Sequence, residues 1–218
     1  MYFSKVAVLF TLASTGLSAP LDKRQAKLLS VQDYSQFQVS DGVGGKALEE
    51  VAQKFPIDQI KADLKGVSKD DLAIIQGARV AAEAAETDAG GFNDAIAKAS
   101  GADADALKVG KIKNKVLKLQ LEVLALQVQQ AQGADNQAKI DAEQKKLDNN
   151  VKTDTASAGK TSQSVAFKAS SAPAAGGAKA AKGGAKAKDT KAKGAKAKDT
   201  KAKDTKTKAA AKPKKAKN

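Results

Sequence analysis

The stretch GKIKNKVLKLQLEVLALQVQQAQG, residues 110–133, constrains this chain more than any other. Ile112, Val116, Leu119, Val123 and Leu126 recur at alternating steps of four and three, and Leu117, Leu121, Leu124, Val128 and Ala131 repeat those steps beside them. At about 100° per residue the two sets form stripes on one helix, roughly 150° apart and separated by Lys, Gln and Glu. A helix apolar on two sides must lie between neighbours. The stripes also permit a coiled-coil dimer, but about three heptads is near the lower limit for that assignment, so a monomer is expected.

The neighbours are legible on both sides. Gly133 is placed to stop the helix, and Asp135 to cap a following one that runs to about Val151 and carries Ile140, Leu147 and Val151. Upstream, Ser68-Lys69-Asp70-Asp71 reads as an N-cap with an acid at N3. The helix it opens presents Leu72, Ile75, Arg79, Ala82 and Ala85 with Ile74, Ala78 and Ala81, a face of mostly small side chains, and ends at Gly90-Gly91. Shorter helices are expected over 46–54, 57–64 and 92–99, with Pro56 dividing the first two, and one short extended piece over 37–39. The fold class is all-α: a compact bundle of five or six helices over 25–151, a length that supports one ordinary core.

The chain contains no histidine and no cysteine. Imidazole general bases, Ser-His triads, disulfides, thiolate nucleophiles and zinc-thiolate sites are therefore excluded. The remaining chemical motifs are weak. Asp41-Gly42-Val43-Gly44-Gly45-Lys46-Ala47 has the glycines and lysine of a phosphate-cradling loop, but its spacing departs from that motif and Ala47 lacks the hydroxyl that would meet Mg²⁺. Ser40 or Asp41 starting a helix after a flexible turn is the better account. Asp103 and Asp105 stand where the long helix needs a cap, and Glu83 and Glu86 read as a solvated helix face rather than an acid–base pair. No catalytic, cofactor-binding or metal-binding residue is assigned, and the chain reads as non-enzymatic.

MYFSKVAVLFTLASTGLSAP places Lys5 before an apolar run over 6–13 and then small residues, the three-part pattern of a secretory signal over 1–19. Leu21-Asp22-Lys23-Arg24 follows, and Lys23 and Arg24 form a dibasic processing site that ends a short propeptide over 20–24 and exposes Gln25. Export to the extracellular space or cell wall is expected.

Residues 152–218 read as a disordered, low-complexity tail, dominated by Ala, Lys, Gly, Ser and Thr. From Lys168 onward there are 17 Lys and 3 Asp, a net charge of +14, whereas residues 1–167 hold 21 basic and 21 acidic groups. The decapeptide AKAKDTKAKG is followed at once by AKAKDTKAKD, a near-duplication of the kind that arises by slippage. Lys179, Lys182, Lys186, Lys188, Lys191, Lys193, Lys196, Lys198, Lys201, Lys203, Lys206, Lys208, Lys212, Lys214, Lys215 and Lys217 are the candidate polyanion-binding residues. Without interleaved aromatics they cannot stack on bases, so the expected partners are acidic polysaccharide, an anionic membrane surface or nucleic acid phosphates, held non-specifically by charge. No small-molecule substrate is expected.

The stretches FQVSDGVGGKALEEVAQKFP, AAEAAETDAGGFNDAIA and VGKIKNKVLKLQLEVLALQ resemble a family of small secreted proteins of filamentous ascomycete fungi. The resemblance covers about residues 1–133 and leaves the lysine-rich tail outside. It implies export, an α-helical core and a cell-wall or host-interaction role, and it supplies no catalytic residue. A second reading is a translocated effector, in which Lys212-Pro213-Lys214-Lys215-Ala216-Lys217 resembles a nuclear import signal and the tail binds host nucleic acid.

Overall fold

The computed structural model describes residues 27–173. Within them the chain is helical, with one two-stranded ribbon. A single turn, α1 (Tyr34–Phe37), precedes strand β1 (Gly42–Val43), then α2 (Ala47–Lys54), α3 (Ile57–Ala62), a 3₁₀ turn (Leu64–Gly66), α4 (Lys69–Thr87), α5 (Phe92–Lys98), α6 (Gly101–Ala131), α7 (Gln137–Thr155) and β2 (Thr161–Ser162).

The two-striped helix, α6, is the axis of the bundle. Leu117, Leu121, Leu124 and Val128 enter the larger core with Tyr34, Phe37, Val51, Phe55, Ile60, Ile75 and the small residues Ala78, Ala81, Ala82 and Ala85 of α4. Val116, Leu119 and Val123 enter a second cluster with Ala47 of α2 and Leu147 and Val151 of α7. Both stripes are thus covered by the chain's own helices. The run of alanines lets α4 approach α6 closely, as small residues at a helix crossing do.

Local signals decide most boundaries. Ser68 Oγ accepts from Asp71 N at 3.0 Å and caps α4 as expected. Gly133, with φ +106°, follows the end of α6. Four expectations are corrected. The extended piece lies at 42–43 and not at 37–39, where Tyr34 and Phe37 instead turn inward on a one-turn helix. Helix α6 begins at Gly101, with Ser100 as N-cap, so Asp103 sits inside its first turn and Asp105 beyond it. Asn136, not Asp135, precedes α7 as its N-cap.

The fourth correction concerns the end of the domain. It does not close at Val151, because α7 runs on to Thr155 and residues 156–173 form a strap lying back across the bundle. β2 pairs antiparallel with β1. Gln163 N then donates to Ala106 O at 3.1 Å, Tyr34 N to Ala169 O at 2.8 Å and Ser171 N to Gln32 O at 2.9 Å. Phe167 meets Tyr34 edge to face, ring centroids 6.2 Å apart. The strap crosses α6 at Gly110 and α4 at Gly77, where a Cβ would overlap the carbonyl oxygens of Gln163 and Ser171. Backbone pairing and glycine notches hold this segment, so it carries no apolar period. The expected disorder of the remainder of the tail lies outside the described residues.

The strap generates a prediction. Gly110→Val places side-chain atoms where the Gln163 carbonyl lies, and overpacking of this kind typically costs about 1–3 kcal/mol. Thermal or urea unfolding is expected to show that loss, and trypsin is expected to cut at Lys160 and Lys168 slowly in the native protein and rapidly in the variant. Unchanged cleavage at Lys160 and Lys168 would show that the strap does not depend on this crossing.

Candidate functional site: the glycine-rich loop, its buried lysine and a groove on α6

The loop after α1 has the composition of an anion cradle, and an anion does occupy it. α2 starts at Ala47, and its N-cap, Lys46, makes no side-chain cap. The free N–H groups of that end are met from α7. Asp154, 2 % exposed, accepts from Gly45 N at 3.0 Å and from Ala47 N at 2.8 Å. A carboxylate at a helix N-terminus satisfies orphan donors and the positive end of the dipole together. Gly45 has φ +107°, and a Cβ there would stand 2.8 Å from Ala158, so glycine is required. Neither Ser40 nor Asp41 starts the helix. The Ser40 carbonyl accepts from Ser162 Oγ at 2.6 Å, and Asp41 accepts from Ser164 N at 2.9 Å and Gln38 Nε2 at 2.6 Å.

Beneath the loop lies Lys113, with none of its surface exposed. Its ammonium donates to Asp41 O at 2.7 Å, to Val43 O at 3.0 Å and to Glu50, whose Oε2 is 2.8 Å away. Those three partners use all three donors of the group. The neighbouring Asn114, also fully buried, accepts from Tyr34 Oη at 2.8 Å and donates to Ala82 O at 2.8 Å. Burial pushes the Tyr34 phenol well above its usual range and keeps it a donor. The sequence reading missed these residues, although a signal was present. Lys113, Gln120 and Gln127 recur every seven residues, and at about 100° per residue they fall in the narrower sector between the two apolar stripes. Polar groups in that sector face other helices.

The other sequence candidates come apart. Glu83 is exposed and pairs with Arg79, but Glu86 is not on a solvated face: it joins Lys118 of α6 at 2.8 Å, with Lys111 at 3.9 Å. Asp105 pairs with Lys108 at the surface, and among the described residues no three acidic side chains come together as a metal-binding group. No helix among the described residues is long and apolar enough to cross a membrane. Lys23, Arg24 and the sixteen candidate lysines from Lys179 to Lys217 lie outside the described residues.

A groove of about 460 Å³, open to solvent, lies where the last turns of α6 meet α3 and the 3₁₀ turn. Lys61, Leu64, Gln127, Gln130 and Ala131 line it. Oε1 of Gln127 and Oε1 of Gln130 are buried and accept no hydrogen bond from the protein. Among the described residues no carboxylate lies within ion-pair distance of Lys61.

Fold and site together define an α-helical bundle, closed by a strap, whose buried charges are spent on its own backbone. The chain belongs to the family described as a domain of unknown function, DUF8454, whose model matches residues 29–166. That match runs past the end of α7 into the strap. No curated protein and no solved structure matches the chain.

Two outcomes are expected. Lys113→Met leaves two loop carbonyls and Glu50 without their donor, and breaking a buried pair of this type costs about 3–5 kcal/mol. Chemical denaturation is expected to show a loss near the lower end, since Glu50 is still 28 % exposed and can rehydrate. The second concerns acid. Burial pushes the Asp41 carboxyl up, but hydrogen bonds from Ser164 and Gln38 and the Lys113 charge outweigh it and hold its pKa below the usual carboxylate value. A depressed folded pKa contributes stability that is complete above roughly pH 4 and is lost as pH falls through the folded value. Asp41→Asn is therefore expected to flatten the acid limb of a stability profile below pH 4 while lowering stability at neutral pH. An acid limb unchanged in the variant would remove Asp41 from the account.

Proposed function

We propose that the protein is a secreted, non-enzymatic fungal protein of the cell wall, extracellular matrix or host surface, in which the helical bundle carries a polycationic tail that adheres to acidic polymers. The observation that carries the reading is the segregation of charge. Residues 27–173 hold 19 basic and 20 acidic side chains, while residues 174–218 hold 16 Lys against 3 Asp. Further support comes from the use of the bundle's buried charges, since Lys113, Asp71 and Asp154 are all engaged with backbone groups of the bundle itself. The tail's lysines have neither aromatic neighbours nor a rigid fork, so attraction is Coulombic and indifferent to polymer sequence.

Replacing the sixteen lysines from Lys179 to Lys217 by serine in the full-length chain tests this reading. Affinity for pectate, heparin, duplex DNA and anionic vesicles is expected to fall together at low salt, with helical content and melting temperature unchanged. For the native chain on DNA, six to ten phosphate contacts would remove about 10³- to 10⁵-fold in affinity between roughly 50 and 200 mM salt. A substituted chain that binds as tightly as the native one would place recognition in the bundle and overturn the assignment.

A further inference from the structure

The wider sector of α6, between its stripes on the side away from Lys113, carries a second set of charges. At about 100° per residue Lys111, Lys118 and Glu122 fall there, and α4 and α7, each covering one stripe, flank it. Lys111 and Lys118 converge on Glu86 of α4, at 3.9 and 2.8 Å. Glu122 is placed differently. Its cation is Arg79 of α4, whose Nε lies 2.9 Å from Glu122 Oε2 while Nη1 is bonded to Glu83, one turn along α4. Among the described residues no second cation comes within ion-pair distance of Glu122.

α7 brings a further carboxylate to the same place. Glu143 acts on Glu122 from that side, and its own cation, Lys146, is bonded to it at 2.7 Å. Three carboxylates, Glu83, Glu122 and Glu143, thus meet two cations, Arg79 and Lys146, while Lys118, one turn before Glu122 on α6, is directed to Glu86. Glu83 and Glu143 each have a cation on their own helix, and Glu122 has only a share in one. Where carboxylates outnumber their cations in a half-buried site, the one without its own partner is the one that holds a proton. Burial pushes the Glu122 carboxyl above its usual value; the Arg79 charge pulls it back, and Glu143 and Glu83 push it up again. α7 is the helix most open to this charge. Over its 19 residues it buries Ile140 and Leu147, with Val151 half-buried, and an element with few buried apolar contacts opens locally at low cost.

We propose that Glu122 is a proton switch at the joint of α4, α6 and α7: as pH falls from neutral toward about 5 it takes up one proton from solvent, Arg79 is left to Glu83, the repulsion from Glu143 ends, and α7 is held more tightly on α6. The inference does not draw on the tail. A raised folded pKa contributes stability that is fully present below the unfolded value, about 4.3, and is lost as pH rises through the folded one. Asp41 has the opposite sign, and its contribution is lost only below roughly pH 4. Together they place the most stable condition of the bundle on the acid side of neutrality.

The test uses the full-length protein. NMR of the side-chain carboxyls is expected to give Glu122 a midpoint above the usual glutamate value. Native-state hydrogen exchange, corrected for the intrinsic pH dependence of exchange, is expected to show residues 140–151 better protected at about pH 5 than at about pH 7.5. Glu122→Gln keeps the size of the side chain and removes the titration. It is expected to give α7 at about pH 7.5 the protection that the native protein reaches only at about pH 5. Glu83→Gln leaves Arg79 to Glu122 alone and is expected to lower the Glu122 midpoint, moving the tightening of α7 to lower pH. A Glu122 midpoint at or below the usual glutamate value, or one that Glu83→Gln does not move, overturns the proposal. So does a native α7 equally protected at both pH values, or a pH response that survives in Glu122→Gln.

Discussion

A helix of 31 residues with apolar stripes on two sides has no stable place at the edge of a small protein. Once α6 forms, it demands a layer on each side, and the remaining elements are arranged by that demand. α4 supplies the close layer because its alanines leave room for a second backbone, and α7 with the start of α2 supplies the other. The two layers differ in what they offer. The first is a continuous core with four aromatic rings in edge contact, Tyr34 with both Phe37 and Phe167, and Phe37 with Phe55. The second is a narrow cluster of aliphatic side chains, and the charged residues of α7 other than Asp154 are exposed or half-buried.

The narrow sector between the stripes brings the polar chemistry inside. Lys113, placed there by periodicity, reaches a loop that has no regular hydrogen-bonded partner on its inner side, and gathers two of its carbonyls and Glu50. Asp154 meets the same loop from α7 through its N–H groups. One loop is thus held by a cation on its acceptors and an anion on its donors, so that residues 40–46 acquire a fixed shape without belonging to a helix or a wide sheet. The same seam continues to Gln127, whose Oε1 is buried without a hydrogen-bond partner.

Helices were readable because their signals are local: the two stripes, the Ser68 cap, the glycines at 90, 91 and 133, and Pro56 between α2 and α3. What escaped was non-local. Asp154 caps a helix 107 residues away, and Asp71, which the sequence marks only as a third-position acid, also accepts from Leu29 N at 2.9 Å. The strap escaped for a different reason. Its composition is that of an unstructured chain, with Phe167 as its main apolar anchor, and its order comes from hydrogen bonds to carbonyls and amides whose positions only the assembled bundle defines. The buried oxygens of Gln127 and Gln130 are invisible in the same way, since a glutamine on a helix is ordinarily a solvated residue.

The two ends of the described chain are tied to each other. Asp71 holds the backbone at Leu28 and Leu29, and Gln32 exchanges hydrogen bonds with Ser171, its own N–H donating to Ser171 Oγ at 2.9 Å. In effect the bundle is a closed loop of chain, complete by Ser171, with its beginning and its end at one pole. Among the described residues, Ser171 makes the last backbone hydrogen bond to another part of the bundle. The near-duplicated decapeptide lies beyond it, outside the described residues, and a change in its copy number changes how many lysines the protein carries. The net charge is thus set by a stretch of sequence separate from the one that builds the described bundle.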